Sequence, residues 1–179
     1  MKAARLASAA SLELFLDRMD TPLGELIVVA DADGRLRLVG FTDGHPRMER
    51  ELEAQATVKR VRDPGGFTSS LRAYFAGDLA AIDGLSVAEQ GTPFQRSVWK
   101  ALREIPCGET RSYADIARRI RNPAAVRAVG LANGANPVGI VVPCHRVIGA
   151  NGTLTGYGAG VERKRWLLEH ESRQKTLVR

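Results

Sequence analysis

Cysteine is scarce: Cys107 and Cys144 are the only two, too few for a disulfide framework and not spaced as a Cys-x-x-Cys pair. Free thiols suit a reducing compartment. His45, His145 and His170, taken with the two cysteines, show no zinc-ligand spacing, so neither a metal nor another cofactor is expected. No run approaches the ~18 apolar residues of a membrane span. Met1 to Ala10 carries the Lys2 and Arg5 of a signal peptide's start, but Glu13, Asp17 and Arg18 cut the apolar stretch short. A soluble, cytoplasmic protein is expected. There is no internal repeat and no low-complexity segment. Nothing calls for a stable oligomer, so a monomer is expected.

What is present is charge, unevenly spread. Residues 1–90 carry a net −3 and residues 91–179 a net +9. An anionic partner for the second half follows, with nucleic acid the leading candidate. A solvated basic face would give the same count. The rest of the composition, 44% hydrophobic and 26% charged, is that of an ordinary folded chain.

Local patterning divides the chain where the charge changes sign. Residues 1–10 read as a loose tail. Leu12, Leu14 and Leu16 alternate with Glu13, Phe15 and Asp17, the period of a strand. Glu25 to Ala30 and Arg35 to Phe41 follow as strands across turn chemistry, with Leu36 and Leu38 expected on one face. Helices are expected over Pro46–Gln55 and Phe67–Phe75. Gly84 to Gly91 is the expected linker between an N-terminal α+β unit built on an antiparallel sheet (1–90) and a mainly helical C-terminal unit (91–179).

The second unit opens on a strong helix start. Thr92 can cap, Pro93 fits the first turn and Gln95 completes a capping box. Tyr113 to Ile120 and Ala124 to Asn133 then read as two short helices broken at Arg121-Asn122-Pro123, the shape of a helix-turn-helix. The second of these is small-faced: Ala125, Ala128 and Gly130 surround Arg127, its one charge. Such a face suits either the narrow minor groove or tight helix packing. Val126 and Leu131 are too bulky for a groove-facing surface and are expected to point inward. Gly139 to Val142 reads as a short buried strand, and Val161 to Glu171 as a helix with Trp166, Leu167 and Leu168 inward.

Cys144 ends that apolar segment and is followed by His145 and Arg146. A lone cysteine is more often a small buried hydrophobe. Neighbouring His and Arg, however, are groups that depress a thiol pKa, and Glu171 or Glu169 could orient the imidazole.

Pro143-Cys144-His145-Arg146-Val147-Ile148-Gly149 resembles the active-site signature of the O6-alkylguanine-DNA alkyltransferases. The likeness runs through Gly91-Thr92-Pro93-Phe94-Gln95, Arg127-Ala128-Val129-Gly130, Asn136-Pro137 and Trp166-Leu167-Leu168 to His170-Glu171. Asp20-Thr21-Pro22-Leu23-Gly24 and Leu71 to Gly77 also resemble the bacterial stand-alone members. The resemblance implies a ribonuclease-H-like first domain and direct repair of alkylated double-stranded DNA. The target base is flipped out, and its O6-alkyl group moves irreversibly to Cys144. O4-alkylthymine is a further substrate that it allows.

By the same resemblance, His145 is a water-mediated base and Glu171 its orienter. Arg127 fills the gap left by the flipped base, Tyr113 works on the adjacent phosphate and the guanine ring, and Asn136 links the DNA-binding motif to the active-site strand. Carbonyls of Cys144 and Val147 accept from the guanine amino group, beside Tyr157 and Gly158. The loop departs from the family in reading Gly158-Ala159, which leaves only a backbone N–H at Gly158 for O6. Cys107 reads as structural. An alkyltransferase-like lesion-binding module is the alternative, disfavoured because such proteins lack the acceptor cysteine.

Overall fold

A computed structural model describes residues 12–44 and 48–177; the expected tail at 1–10, and Pro46 and Arg47 of the first expected helix, lie outside them. Strands β1 (Glu13–Thr21), β2 (Gly24–Asp31) and β3 (Leu36–Phe41) form the expected antiparallel meander. Helix α1 (Met48–Gln55) then crosses over to β4 (Thr57–Arg60), which pairs parallel with β1, giving the sheet order β3-β2-β1-β4. Four residues with only Val58 half-buried carry too little pattern to betray that strand in the sequence.

Strand β2 is buried on both faces. Ile27 and Val29 meet Leu14, Leu16 and the α1 side, whereas Leu26, Val28 and Ala30 join the main core. That core continues through α2 (Phe67–Phe75), α3 (Pro93–Arg103), α4 (Tyr113–Arg119), α5 (Val126–Gly134) and α6 (Val161–Leu177). Leu36 and Leu38 do not share a face. A register shift opposite Val29/Ala30 sends Leu36 to the main core and Leu38 to the smaller cluster, as a bulge does by adding a residue to a period of two.

The expected linker is docked rather than free. Leu36 N–H donates to Ser86 (2.8 Å), Ala88 N–H donates to Leu36 (2.8 Å), and Gln90 Nε2 donates to the Arg37 carbonyl (2.6 Å). Further along the same edge, Val39 N–H donates to Pro137 (3.0 Å) and Gly139 N–H donates to Val39 (2.9 Å). The exposed side of β3, an aggregation hazard if bare, is thus covered by two segments from later in the chain.

Helix α3 starts on the Thr92/Gln95 capping box, with Pro93 in its first turn. Helix α4 has a second capping box, Ser112 with Asp115. The break before α5 is made by Arg121 in the left-handed region (φ 58°) and a short 3-10 turn over Pro123–Ala125. Trp99 Nε1 donates to the Ala132 carbonyl (2.8 Å), seating α5 on α3. Among the described residues no helix is long and apolar enough to cross a membrane.

Candidate active site

The segment expected as a buried strand is a tight turn. Val142 N–H donates back to Val138 (2.9 Å), Val141 N–H to Gly139 (2.8 Å) and Cys144 N–H to Val142 (2.8 Å). Asn136 explains why it turns. Its Oδ1 accepts from Val138 N–H (3.0 Å) and its Nδ2 donates to Val142 O (2.8 Å), standing where a neighbouring strand's backbone would. Ile140, β-branched, sits at φ 70°, a conformation that costs roughly 1–3 kcal/mol and persists only where surroundings impose it. Pro143 and Cys144 follow directly.

Cys144, 6% exposed, lies in a cleft of about 390 Å³. One wall comes from β3 (Leu38 to Phe41), another from α5 and the residues after it (Gly130, Asn133, Asn136, Gly139), a third from the loop Gly156 to Ala159. Tyr113 completes the rim. Of the residues expected at the site, Cys144, Asn136, Tyr113, Tyr157, Gly158 and Gly130 therefore share one cavity. Ala125, Arg127 and Ala128 do not line it. Arg127 and Ala128 are exposed on the outer surface of α5, and Ala125 is half-buried in the turn before it. Val126 and Leu131, expected inward, are exposed there too, Leu131 to 72%. Val129, Ala132 and Asn133 already fill the buried side of the helix. Val147 is buried but does not line the cleft, and its carbonyl accepts from Lys164 Nζ (2.6 Å).

Behind Cys144 lies a buried relay. His145 Nε2 is 2.9 Å from Glu171 Oε1. Glu171 also accepts from Tyr74 O–H (2.9 Å), from Arg146 Nη2 (2.8 Å) and Nε (2.9 Å), and from Gly108 N–H (3.3 Å). Glu169, the other acid considered, is exposed and pairs with Arg173. Among the described residues, no group of three or more His, Cys, Asp or Glu could hold a metal ion.

Residues 15–88 match the family described as 6-O-methylguanine DNA methyltransferase, ribonuclease-like domain, and residues 93–173 its DNA binding domain. The chain belongs to the 6-O-methylguanine DNA methyltransferase family. The methylated-DNA–protein-cysteine methyltransferase of Salmonella typhimurium is 53% identical over 165 residues, 89% of this chain and 96% of the relative. That of Methanosarcina mazei is 62% identical over 154 residues, 84% and 92% of the two chains. Among solved structures, Mycobacterium tuberculosis OGT in complex with DNA superposes with a TM-score of 0.76 at 45% identity, covering 90% of this chain and 94% of that one.

For a methyltransferase the electrostatics of the thiol differ from what the sequence suggests. Burial pushes the Cys144 thiol up, and the groups that partly offset it are Asn136, Lys164 and Tyr157. His145 Nε2 and the Arg146 guanidinium, for their part, turn to Glu171. Burial alone would raise Glu171, but His145 and Arg146 hold its carboxyl far below the usual range. Burial lowers the His145 pKa, with Glu171 opposing. An ionised carboxylate only accepts, so the proton of neutral His145 sits on Nε2 and the lone pair on Nδ1. That Nδ1 is one of three buried side-chain atoms, among the described residues, without a hydrogen-bond partner.

Lys164, Tyr74 and Asn133 escaped the sequence reading. Fully buried Lys164 donates to Val147 and Thr155 carbonyls (2.6 and 3.1 Å). In Glu-Arg-Lys-Arg it reads as solvated charge, yet Lys164, Leu167 and Glu171 share the inward face of α6, while Trp166 and Leu168 are only half-buried. Cys107 is half-buried beside Glu171, its thiol pushed up to about 12 chiefly by burial.

Proposed function

We propose that the protein repairs duplex DNA by moving the alkyl group of O6-alkylguanine onto Cys144, once per molecule. The observation that carries this reading is the unpaired Nδ1 of His145, a buried base oriented by Glu171 in the residue that follows Cys144, the thiol of the cleft. Nδ1 accepts the Cys144 proton through a water. The thiolate, stabilised by the Lys164 charge, attacks the alkyl carbon as the carbon–O6 bond breaks and its electron pair passes into the guanine ring. Thr155 Oγ1 donates to the Tyr113 hydroxyl (3.1 Å), which leaves the Tyr113 proton free for the departing guanine. Tyr113 then regains a proton from solvent. The thioether formed has no leaving group worth the name, so the reaction does not reverse.

Flipping is part of the proposal, since O6 is unreachable in the base stack. Arg127 is an exposed cation on a helix surface that otherwise shows Ala128 and the apolar Val126 and Leu131, suited to filling the vacated stack. Arg127→Ala should therefore slow repair of duplex DNA by ~10-fold or more, since extrusion costs a few kcal/mol that the wedge offsets. Reaction with free O6-benzylguanine, which needs no flipping, should stay near wild type. Equal losses on both substrates would remove the wedge role. The function itself is tested by incubating the protein with duplex DNA carrying O6-methylguanine and measuring intact mass. A gain of one methyl group and no more is expected. Retained binding without any gain would identify a lesion-recognition module instead.

A further inference from the structure

The loop Gly156–Gly160 forms one wall of the cleft, yet three of its five residues are glycine. A Cβ placed on any of these glycines would meet nothing within 4 Å, so packing does little to fix them. One side chain holds the loop from outside. Arg163, in the first turn of α6, donates Nη1 to the Ala159 carbonyl (3.0 Å). The same guanidinium donates Nε to the Leu23 carbonyl in the β1–β2 turn (2.9 Å) and Nη2 to Asp43 (2.6 Å), and its carbon lies 4.1 Å above the Phe41 ring centre. Gly24 makes room for it: at φ 112°, a Cβ there would stand 3.2 Å from Arg163 Nη2. The Pro22-Leu23-Gly24 turn, far from Cys144 in sequence, thus reaches the active-site wall through one residue.

We propose that Arg163 is a positioning residue for alkyl transfer, using the first-half sheet to set the Gly156–Gly160 loop against Cys144. A planar fork serves three acceptors at once, in a geometry an ammonium does not reproduce. Tyr157, whose hydroxyl acts on the Cys144 thiol, lies two residues before the Ala159 carbonyl that the fork grips. A loop preorganised in this way spares the substrate the cost of ordering it.

This rests on the alkyltransferase reading, and two measurements on Arg163→Met separate the two. Amide hydrogen exchange without substrate should show residues 156–160 exchanging about tenfold faster, the worth of one charge-assisted hydrogen bond, with β2 unchanged. The concentration of O6-benzylguanine giving half the maximal alkylation rate should rise by a similar factor, while the saturating rate changes less than about twofold. Asp43→Asn, a one-atom change at the far anchor, should move both readouts the same way and substitutes if the Met variant does not fold. A lower melting temperature with both readouts unchanged would make Arg163 a structural brace and overturn the proposal. Failure of the wild type to react with O6-benzylguanine would sink the alkyltransferase reading, and the exchange data would still decide the fate of the Arg163 contact.

Discussion

Cys144→Ser should abolish alkyl transfer, with no methyl gain detectable by intact mass under conditions that fully convert the wild type, while binding to duplex DNA persists. A serine hydroxyl has a pKa far above that of a thiol and is a much weaker nucleophile toward an alkyl carbon, so a loss of roughly a thousandfold or more is expected. The substitution is close to isosteric in a buried site, and circular dichroism should report an unchanged fold. The surface cations of the second half lie outside the cleft that holds the thiol, so binding that rests on phosphate contacts should not depend on it. Methylation of the variant at the wild-type rate would shift the acceptor to Cys107, contrary to a thiol pushed up to about 12 by burial and by Glu171.

Glu171→Gln should be the most damaging change that leaves every reacting atom in place. The wild-type carboxylate is ringed by donors from His145, Arg146, Tyr74 and Gly108. An amide turns one acceptor into a donor facing them and leaves the Arg146 guanidinium, itself buried, without its counter-charge. Removing one partner of a buried pair costs about 3–5 kcal/mol, which for a chain of this size lowers the melting temperature by roughly 10 °C. Alkylation at saturating benzylguanine should fall by about 100-fold, because His145 loses the partner that fixes its tautomer.

The pH dependence carries a matching signature. Glu171's pKa is depressed in the folded state, so its contribution to stability is complete above the ordinary carboxylate range near ~4.3. It is lost as pH falls from there toward the folded value. The variant should lack that part of the acid transition. Wild-type activity at an unchanged melting temperature would contradict the relay.

The strands of the meander, the capped start of α3 and the helix-turn-helix were legible because each rests on local chemistry: alternation, a capping box, a proline break. The turn at 138–142 was not. Four buried apolar residues look the same as strand or turn, and the deciding group is the side chain of Asn136 outside the run. The site showed the same division. Cys144, His145 and Glu171 were readable from motif; the structure sets His145 against Glu171 and puts Cys144 in the cleft. Lys164 was hidden because a lysine among charges is usually solvated, and only its spacing to Leu167 and Glu171 betrays the buried face. Arg146, two residues past Cys144, turns its guanidinium to Glu171, and His145 turns only Nε2 there, its Nδ1 staying without a partner.

The covered edge of β3 ties the two family regions together mechanically. Val39 holds Pro137 by donating its N–H to the Pro137 carbonyl, and holds Gly139 by accepting its N–H, so the strand acts as a jig in which the nucleophile's turn is set. A one-residue insertion or deletion in that hairpin would move every later β3 residue to the opposite side of the pleat, and with it the point where the turn is gripped. Sequence changes in the β2–β3 hairpin are thus to be judged as changes to the active site, although none of its residues reacts.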